Sequence, residues 1–207
     1  MPTLAGRAAL AALLLALQAG AARADVHGFE AETTPVLRYR IDAHSAEAEF
    51  SIRVLWLLSK RGQFARVEGE LLVDRTAGTG RIAARIDAAS AQMPDADDTA
   101  LLRSPAFFDV DAHPWIEFES AAFSLAAKRR AGQLDGVLRL RGIEREVNFS
   151  YRPRPCSADE QAQPEVGCGY LVEGIVRRSR FGMTAYSRTV DDPVRLRFAV
   201  RLLASAG

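Results

Sequence analysis

The 207-residue sequence contains few of the residues from which catalytic and metal-binding sites are built. It has three histidines, among them His44 and His113, and two cysteines that do not form a C-x-x-C pattern. No H-E-x-x-H, G-x-S-x-G or phosphate-binding-loop pattern is present. Asp95, Asp97 and Asp98 begin like a calcium-binding loop, but the glycine and the distal glutamate of such a loop are missing. The sequence therefore favours a protein that is not an enzyme and that uses no cofactor or metal ion.

The sequence also lacks an excess of charge of one sign. Its 27 Lys and Arg residues are balanced by 26 Asp and Glu residues, which gives a formal net charge of +1. Proteins that bind nucleic acid need a basic patch or stripe to neutralise the phosphates. We therefore do not expect nucleic acid to be a partner.

Long apolar runs are absent except at the N-terminus. There Arg7 precedes an apolar segment that is short for a membrane span, and a small-residue A-R-A cleavage site follows it. We expect residues 1–24 to be a cleaved signal peptide, followed by a polar leader over 25–35 and one domain over 36–207. Cleavage removes two arginines and no acids, so 25 basic residues remain against 26 acidic ones and the net charge becomes −1. The mature protein is then periplasmic, without stable membrane insertion.

What the sequence does have, from Val36 onward, is an alternation of apolar and charged residues with a period of two. The last segment of this kind, residues 194–202, places Val, Leu and Phe against Arg. The alternation is typical of strands in a sheet that has one apolar and one solvated face. Gly69, Gly136 and Gly174 stand inside predicted strands, where they mark either bulges and barrel corners or the close approach of a ligand.

Residues 94–104 form the one helix-like segment. Pro94 and three aspartates stand at its start, which suits the positive end of a helix dipole. Eight or more strands without a βαβ repeat predict an all-β fold, either a sandwich or a barrel. An antiparallel barrel of about eight strands has a bore that its own side chains can fill or that a slender ligand can occupy.

Cys156 and Cys168 flank a polar segment that contains Pro164 and Gly167. In an exported protein we expect these two cysteines to form a disulfide at the base of a long hairpin. Closing so short a loop contributes ~3 kcal/mol in the chain-entropy model.

The stretch 101–120, LLRSPAFFDVDAHPWIEFES, concentrates aromatic residues at a turn between polar residues. Phe107 and Phe108 precede His113-Pro114-Trp115, and an alternating strand follows. Such residues either pack a core or form an adaptable apolar lining. Burial alone does not separate these two interpretations.

Five sequence motifs, in this order along the chain, indicate a protein family. With them the chain resembles the YceI-like family of polyisoprenoid-binding proteins from Tyr39 to Leu203. The motifs are YRIDAHS (39–45), RGQF (61–64), LLRSPAFFDVDAHPWIEFES (101–120), LDGVLRLRGIEREVNF (134–149) and RRSRFGM (177–183).

The resemblance implies an exported, extended lipocalin-like antiparallel barrel that holds an isoprenoid lipid or a quinone tail in an apolar pore. It implies no catalytic residue and no metal, and a homodimer is compatible with it. We predict the pore lining to be Phe50, Ile52, Leu71, Ile86, Phe107, Phe108, Ile116, Phe118, Leu138, Phe149, Ile175, Phe181, Met183 and Phe198. The helix and the FFD turn are expected to cap the barrel.

Departures from the family pattern concern the polar end of the pore. Val54 stands where the family has a second histidine, Glu144 where a threonine is common, and Arg180 where an aspartate is usual. Two alternatives to a lipid carrier remain. One is an exported structural or interaction protein whose barrel is filled by its own side chains. The other is a lipid-modifying enzyme that uses His44 or His113 together with an acid.

Overall fold

Thirteen strands form one antiparallel sheet in the described part of the chain, which comprises residues 36–124, 131–154 and 169–205 of a computed structural model. The strands are β1 Val36–Ile41, β2 Glu47–Val54, β3 Leu58–Phe64, β4 Val67–Asp74, β5 Thr79–Asp87, β6 Ala91–Gln92, β7 Trp115–Ser120, β8 Phe123–Ser124, β9 Gly132–Leu140, β10 Ile143–Pro153, β11 Tyr170–Arg177, β12 Val190–Val200 and β13 Leu202–Ala204.

The sheet closes into a barrel of eight long strands. Four strands are each continued along the chain, after a short bend, by a second strand: β1 by β2, β3 by β4, β7 by β8, and β12 by β13. The neighbour order runs β13-β1-β4-β5-β7-β9-β10-β11-β12-β2-β3-β6, with β8 beside β5, and only Arg201 separates β12 from β13. Because β12 pairs with β2 while β13 pairs with β1, the last long strand lies beside the first, as closure into a barrel requires. The predicted all-β antiparallel barrel is confirmed, although the structure divides it into thirteen strand segments rather than about eight strands.

The predicted helix is also confirmed, as α1 Ala96–Arg103. Asp95 is its N-cap and accepts a hydrogen bond from the backbone N–H of Asp98, 2.9 Å away. Asp97 and Asp98 lie in the first turn and Arg103 in the last, which complements the helix dipole at both ends. These acids serve the helix start rather than a calcium site.

Glycines inside the strands make room for aromatic rings. A Cβ on Gly174 would lie 2.1 Å from Cδ1 of Phe149, and a Cβ on Gly136 would lie 2.3 Å from the carbonyl oxygen of Glu119 and 2.7 Å from the ring of Phe118. These two positions are therefore neither bulges nor contacts for a ligand. They leave room for the rings of Phe149 and Phe118 over the neighbouring strands.

Asp42 and Arg201 form a corner of the barrel. It joins the bend between β1 and β2 to the bend between β12 and β13. Asp42 follows β1 and is 8% exposed, and Arg201 lies between β12 and β13. The Arg201 Nη2 donates to Oδ2 of Asp42 at 2.7 Å, and the Ser45 hydroxyl donates to the same oxygen at 2.8 Å. The hydrogen bond from Ser45 has the largest effect on the pKa of Asp42, and that from Arg201 the next largest. Both hold this pKa below its ordinary value. The corner belongs to the YRIDAHS motif.

Asp42→Asn should destabilise the protein by about 1–3 kcal/mol near neutral pH, because a charge-assisted network is lost. The folded pKa of Asp42 is lowered, so its stabilisation is complete above the unfolded pKa of about 3.9 and is lost as pH falls through the folded value. Urea unfolding from pH 5 downward should show a weaker pH dependence in the variant.

The matched control is Glu70→Gln, which breaks the exposed ion pair of Glu70 with Arg38. We expect this change to alter the free energy of unfolding by less than about 1 kcal/mol. Equal losses in the two variants would show that the Asp42 corner is no more important than a surface ion pair.

Candidate binding cavity

An apolar cavity of about 640 Å³ runs along the inside of the barrel. Its wall is made by the inward-facing residues of the strands, and α1 contributes Leu101 and Leu102. Twelve predicted lining residues face it: Phe50, Ile52, Leu71, Ile86, Phe107, Phe108, Ile116, Phe118, Leu138, Phe149, Met183 and Phe198. The interior of the barrel is therefore lined rather than filled.

Two residues of the predicted lining lie elsewhere. Ile175 is 55% exposed, because Gly174 takes the inward position between Val172 and Val176 and the alternation turns Ile175 outward. Phe181 is 1% exposed and packs in the core without reaching the cavity. These two side chains therefore lie outside the cavity that the other twelve line.

Other lining residues were absent from the predicted set. Val194, Leu196 and Val54 belong to the same alternating pattern as the predicted ones, so a stricter use of the period would have included them. Val172 and Val176 were missed because the wrong face of β11 was assigned to the interior. Tyr186 lies on a loop, where no periodicity indicates which way a side chain points.

Aromatic rings form two groups along the cavity. At the helix end, Phe50, Phe64 and Phe108 pack with ring centroids 5.4 to 6.5 Å apart. Further along the wall, Phe149 lies 5.3 Å from Phe118 and 6.5 Å from Phe198 in edge-on geometry. These separations lie in the range in which aromatic pairs attract one another.

The FFD turn directs its two phenylalanines inward. The backbone N–H of Phe108 donates to the carbonyl of Leu102 at 3.0 Å, which ties the turn to α1. Asp109 adopts a left-handed conformation with φ of 52°, and its carbonyl accepts from the N–H of His113 at 2.8 Å. Phe107 and Phe108 are thereby 8% and 9% exposed and face the cavity.

Three similar solved structures share this architecture. They are BcnA from Burkholderia cenocepacia (18% identity, TM-score 0.63, 78% of this chain and 98% of that one), a polyisoprenoid-binding domain from Saccharophagus degradans implicated in plant cell wall breakdown (14%, 0.61, 82% and 99%), and a YceI protein from Campylobacter jejuni (16%, 0.56, 70% and 85%). At these identities the likeness is one of fold. A search of curated proteins found no relative. The family model for the YceI-like domain matches residues 39–202.

The chain belongs to the YceI-like family. The matched range covers both the cavity wall and the corner at Asp42.

The RRSRFGM motif of this YceI-like domain places a buried arginine at one end of the cavity. Arg178 is 3% exposed and donates to four backbone carbonyls: those of Met183 at 2.6 Å, Ala185 at 2.7 Å, and Asp191 and Val190 at 2.9 Å. Burial lowers the pKa of its guanidinium, while Asp192 opposes this effect. The arginine fixes the 183–191 loop against the barrel.

Phe107 lies between this arginine and Tyr186. The Arg178 guanidinium is 5.8 Å from the centre of the Phe107 ring, and Tyr186 stacks on Phe107 at 6.1 Å with an interplanar angle of 10°. Tyr186 lines the cavity and is also 55% exposed, so it stands at an opening to solvent. Lys60 and Asp98, which form an ion pair between β3 and α1, border the same end.

Most residues of the cavity wall are apolar, although Glu70, Glu117 and Ser124 also border it away from this end. Neither His44 nor His113 lines the cavity. Within 36–124, 131–154 and 169–205, no three His, Cys, Asp or Glu side chains are placed to hold a metal ion. Cys156 and Cys168 lie outside the described residues.

No helix among the described residues is long and apolar enough to cross a membrane.

Arg178→Met should destabilise the domain by more than about 3 kcal/mol, because four carbonyls lose their donor while the apolar bulk of the side chain is kept. Chemical denaturation measures the loss. Arg180→Met is the matched control, since Arg180 is exposed in the same motif and should change stability by less than about 0.5 kcal/mol. Similar losses in both variants would refute the role of the carbonyl network.

Proposed function

We propose that this YceI-like domain binds and carries an isoprenoid lipid, a quinone or a polyprenyl chain, in the periplasm without catalysing a reaction. The observation that carries the proposal is the continuous apolar cavity of about 640 Å³ inside the barrel. Its volume lies within the range typical of small-molecule sites. A cavity of this size also disfavours the alternative of a barrel filled by its own side chains.

An elongated apolar guest suits this wall for a simple energetic reason. Each methylene removed from water contributes about 0.8 kcal/mol, so a prenyl tail has a large gross gain on entering the barrel. The ordering of the tail and the loss of its overall freedom offset much of that gain. Because the rings of Phe118 and Phe149 pack over glycines and against each other, the guest meets a preformed surface.

The polar end of the cavity orients the guest in this proposal. Lys60, Asp98 and Tyr186 border the opening, whereas Phe118, Phe149 and the residues around them line the interior. A quinone or alcohol head would remain at this opening, where water and polar groups are available. The tail would extend inward past the phenylalanines.

The absence of a catalytic role is supported by the same geometry. The acid nearest to a cation at the cavity end, Asp98, is already paired with Lys60. A base and a nucleophile within hydrogen-bond reach of each other are needed for covalent catalysis, and neither histidine that could serve as base lines the cavity. The lipid-modifying alternative has no support from these positions.

The proposal also includes export of the protein and formation of a disulfide. Residues 1–24 carry the pattern of a cleavable signal peptide. In the oxidising compartment that this implies, Cys156 and Cys168 would join the ends of their segment in a disulfide.

Affinity should rise with the length of the prenyl tail until the cavity is full, because each added unit buries more apolar surface. The measurement is a competition of prenyl alcohols of increasing length against a fluorescent apolar probe in the purified protein. Equal affinities for short and long tails would contradict the placement of the tail in the bore.

Ala84→Phe should abolish ligand uptake without unfolding the protein, because the Ala84 side chain faces the cavity and a ring there occupies space that the ligand needs. Native mass spectrometry with organic extraction measures the bound species. Wild type should carry a species with isoprenoid mass spacing or take one up when it is added.

The matched control is Ala83→Phe, which places the same ring one residue away on the exposed face of β5. It should bind ligand like wild type. An empty wild-type protein that also refuses added quinones and prenyl alcohols would refute the proposed function, and so would undiminished binding by Ala84→Phe.

A further inference from the structure

The turn between β2 and β3 exposes a continuous run of large apolar side chains. Leu55, Trp56, Leu57 and Leu58 are 47%, 72%, 90% and 58% exposed. We call residues 54–58 the apolar tip. The other exposed large apolar residues of the described chain are scattered one at a time, as is normal on soluble proteins. A contiguous exposed group of this kind marks an interaction site.

The backbone of the tip does not favour these residues. Leu55 and Trp56 have φ values of 52° and 61°, in the left-handed region that Gly, Asn and Asp adopt most readily. The N–H of Leu55 donates to the carbonyl of Thr189 at 2.7 Å, which holds the turn in place. Since leucine and tryptophan neither suit this turn nor pack within it, their presence points to a contact outside the molecule.

The tip stands beside the opening of the cavity. Val54, directly before the turn, lines the cavity and pairs with Val190 of β12. Thr189, which receives the hydrogen bond from the tip, follows the loop that carries Tyr186 at the opening. A surface that covers the tip therefore also lies against the mouth.

The charges around the tip identify the kind of surface. Arg53 precedes the tip on β2 and Arg188 adjoins Thr189 on the neighbouring loop, and both are exposed. Neither forms an ion pair with another described residue. A protruding tryptophan and leucines flanked by cations match the boundary between lipid headgroups and acyl chains, where tryptophan concentrates and anionic lipids attract arginine.

We propose that the apolar tip inserts shallowly and reversibly into an anionic lipid bilayer and so places the mouth of the cavity against the membrane surface. The proposed insertion depends only on the apolar tip and does not depend on the proposed function. Its use, the entry and release of an isoprenoid directly from the bilayer, rests on the proposed function. A protruding turn fits a deformable lipid surface better than a preformed groove of a protein.

The two tryptophans of the chain allow a direct test with vesicles of phosphatidylcholine and phosphatidylglycerol. Trp115→Phe leaves Trp56 as the only reporter, and its emission should shift to the blue when vesicles are added. Trp56→Phe leaves Trp115, which lies under the Arg85 guanidinium at 4.7 Å, and its emission should stay unchanged. An unchanged Trp56 spectrum would overturn the proposal.

Sedimentation with the same vesicles tests the individual contacts. Leu57→Ser should weaken binding at least tenfold, whereas Ile175→Ser, an equally polar change at an exposed site on the outer wall, should leave it unchanged. Arg53→Gln and Arg188→Gln should each weaken binding about fivefold at low salt, an effect that vanishes on vesicles of phosphatidylcholine alone. Equal losses for Leu57→Ser and Ile175→Ser would overturn the proposal.

Two further readouts separate the proposals from each other and from a protein contact. Vesicle binding by a protein that takes up no isoprenoid would support the tip and refute the proposed function, whereas uptake without vesicle binding would refute the tip. If Leu57→Ser turned a dimer into a monomer and wild type ignored vesicles, the tip would be an interface between copies of the chain, which overturns the proposal.

Discussion

The closure of the sheet on itself is the constraint on which this structure depends. A sheet with one apolar face must bury that face, and a barrel does so without another layer. Closure requires the long strands to bend where β1 passes into β2 and where β12 passes into β13. Asp42 and Arg201 occupy these two bends and bind each other across them. One partly buried ion pair thus joins the two bends. The strands of the described chain present apolar residues to the cavity between them.

The interior stays unfilled because large lining side chains pack over the neighbouring strands rather than into the bore. Phe149 lies over Gly174, and Phe118 lies over Gly136, so each ring uses space that a side chain on the neighbouring strand would occupy. The rings then pack edge-on against each other rather than across the bore. Native interiors are close-packed, and here that packing is achieved within the wall itself. The result is a firm surface around a volume that a guest can take.

Alternation in the sequence was enough to predict the barrel and most of its lining, because period two directly reports which face a residue occupies. It failed at β11, where Gly174 hides the inward position and leaves Ile175 to be mistaken for an inward residue. Phe181 lies in the short turn Arg178–Phe181 outside any alternating strand, where a period of two gives no direction. Local pattern could not reveal Tyr186 or the four carbonyls bound by Arg178, since both depend on a loop folded back by tertiary contacts. The sequence did not predict the apolar tip, because a run of apolar residues resembles a buried strand and the turn is evident only in the structure.

The shielding of a bound apolar chain and its exchange both depend on the mouth of the cavity. A carrier of apolar chains must shield its guest from water and yet exchange it, and these demands conflict if the entrance faces solvent. Arg178 holds Phe107 and the loop of Tyr186 in one stack, so the entrance has a defined aromatic rim. With the apolar tip beside that rim, contact with a bilayer would replace water at the entrance by lipid. The tail would then pass from the cavity into lipid without entering water, so the free energy cost of its exposure to water would be avoided. The barrel itself would not have to open.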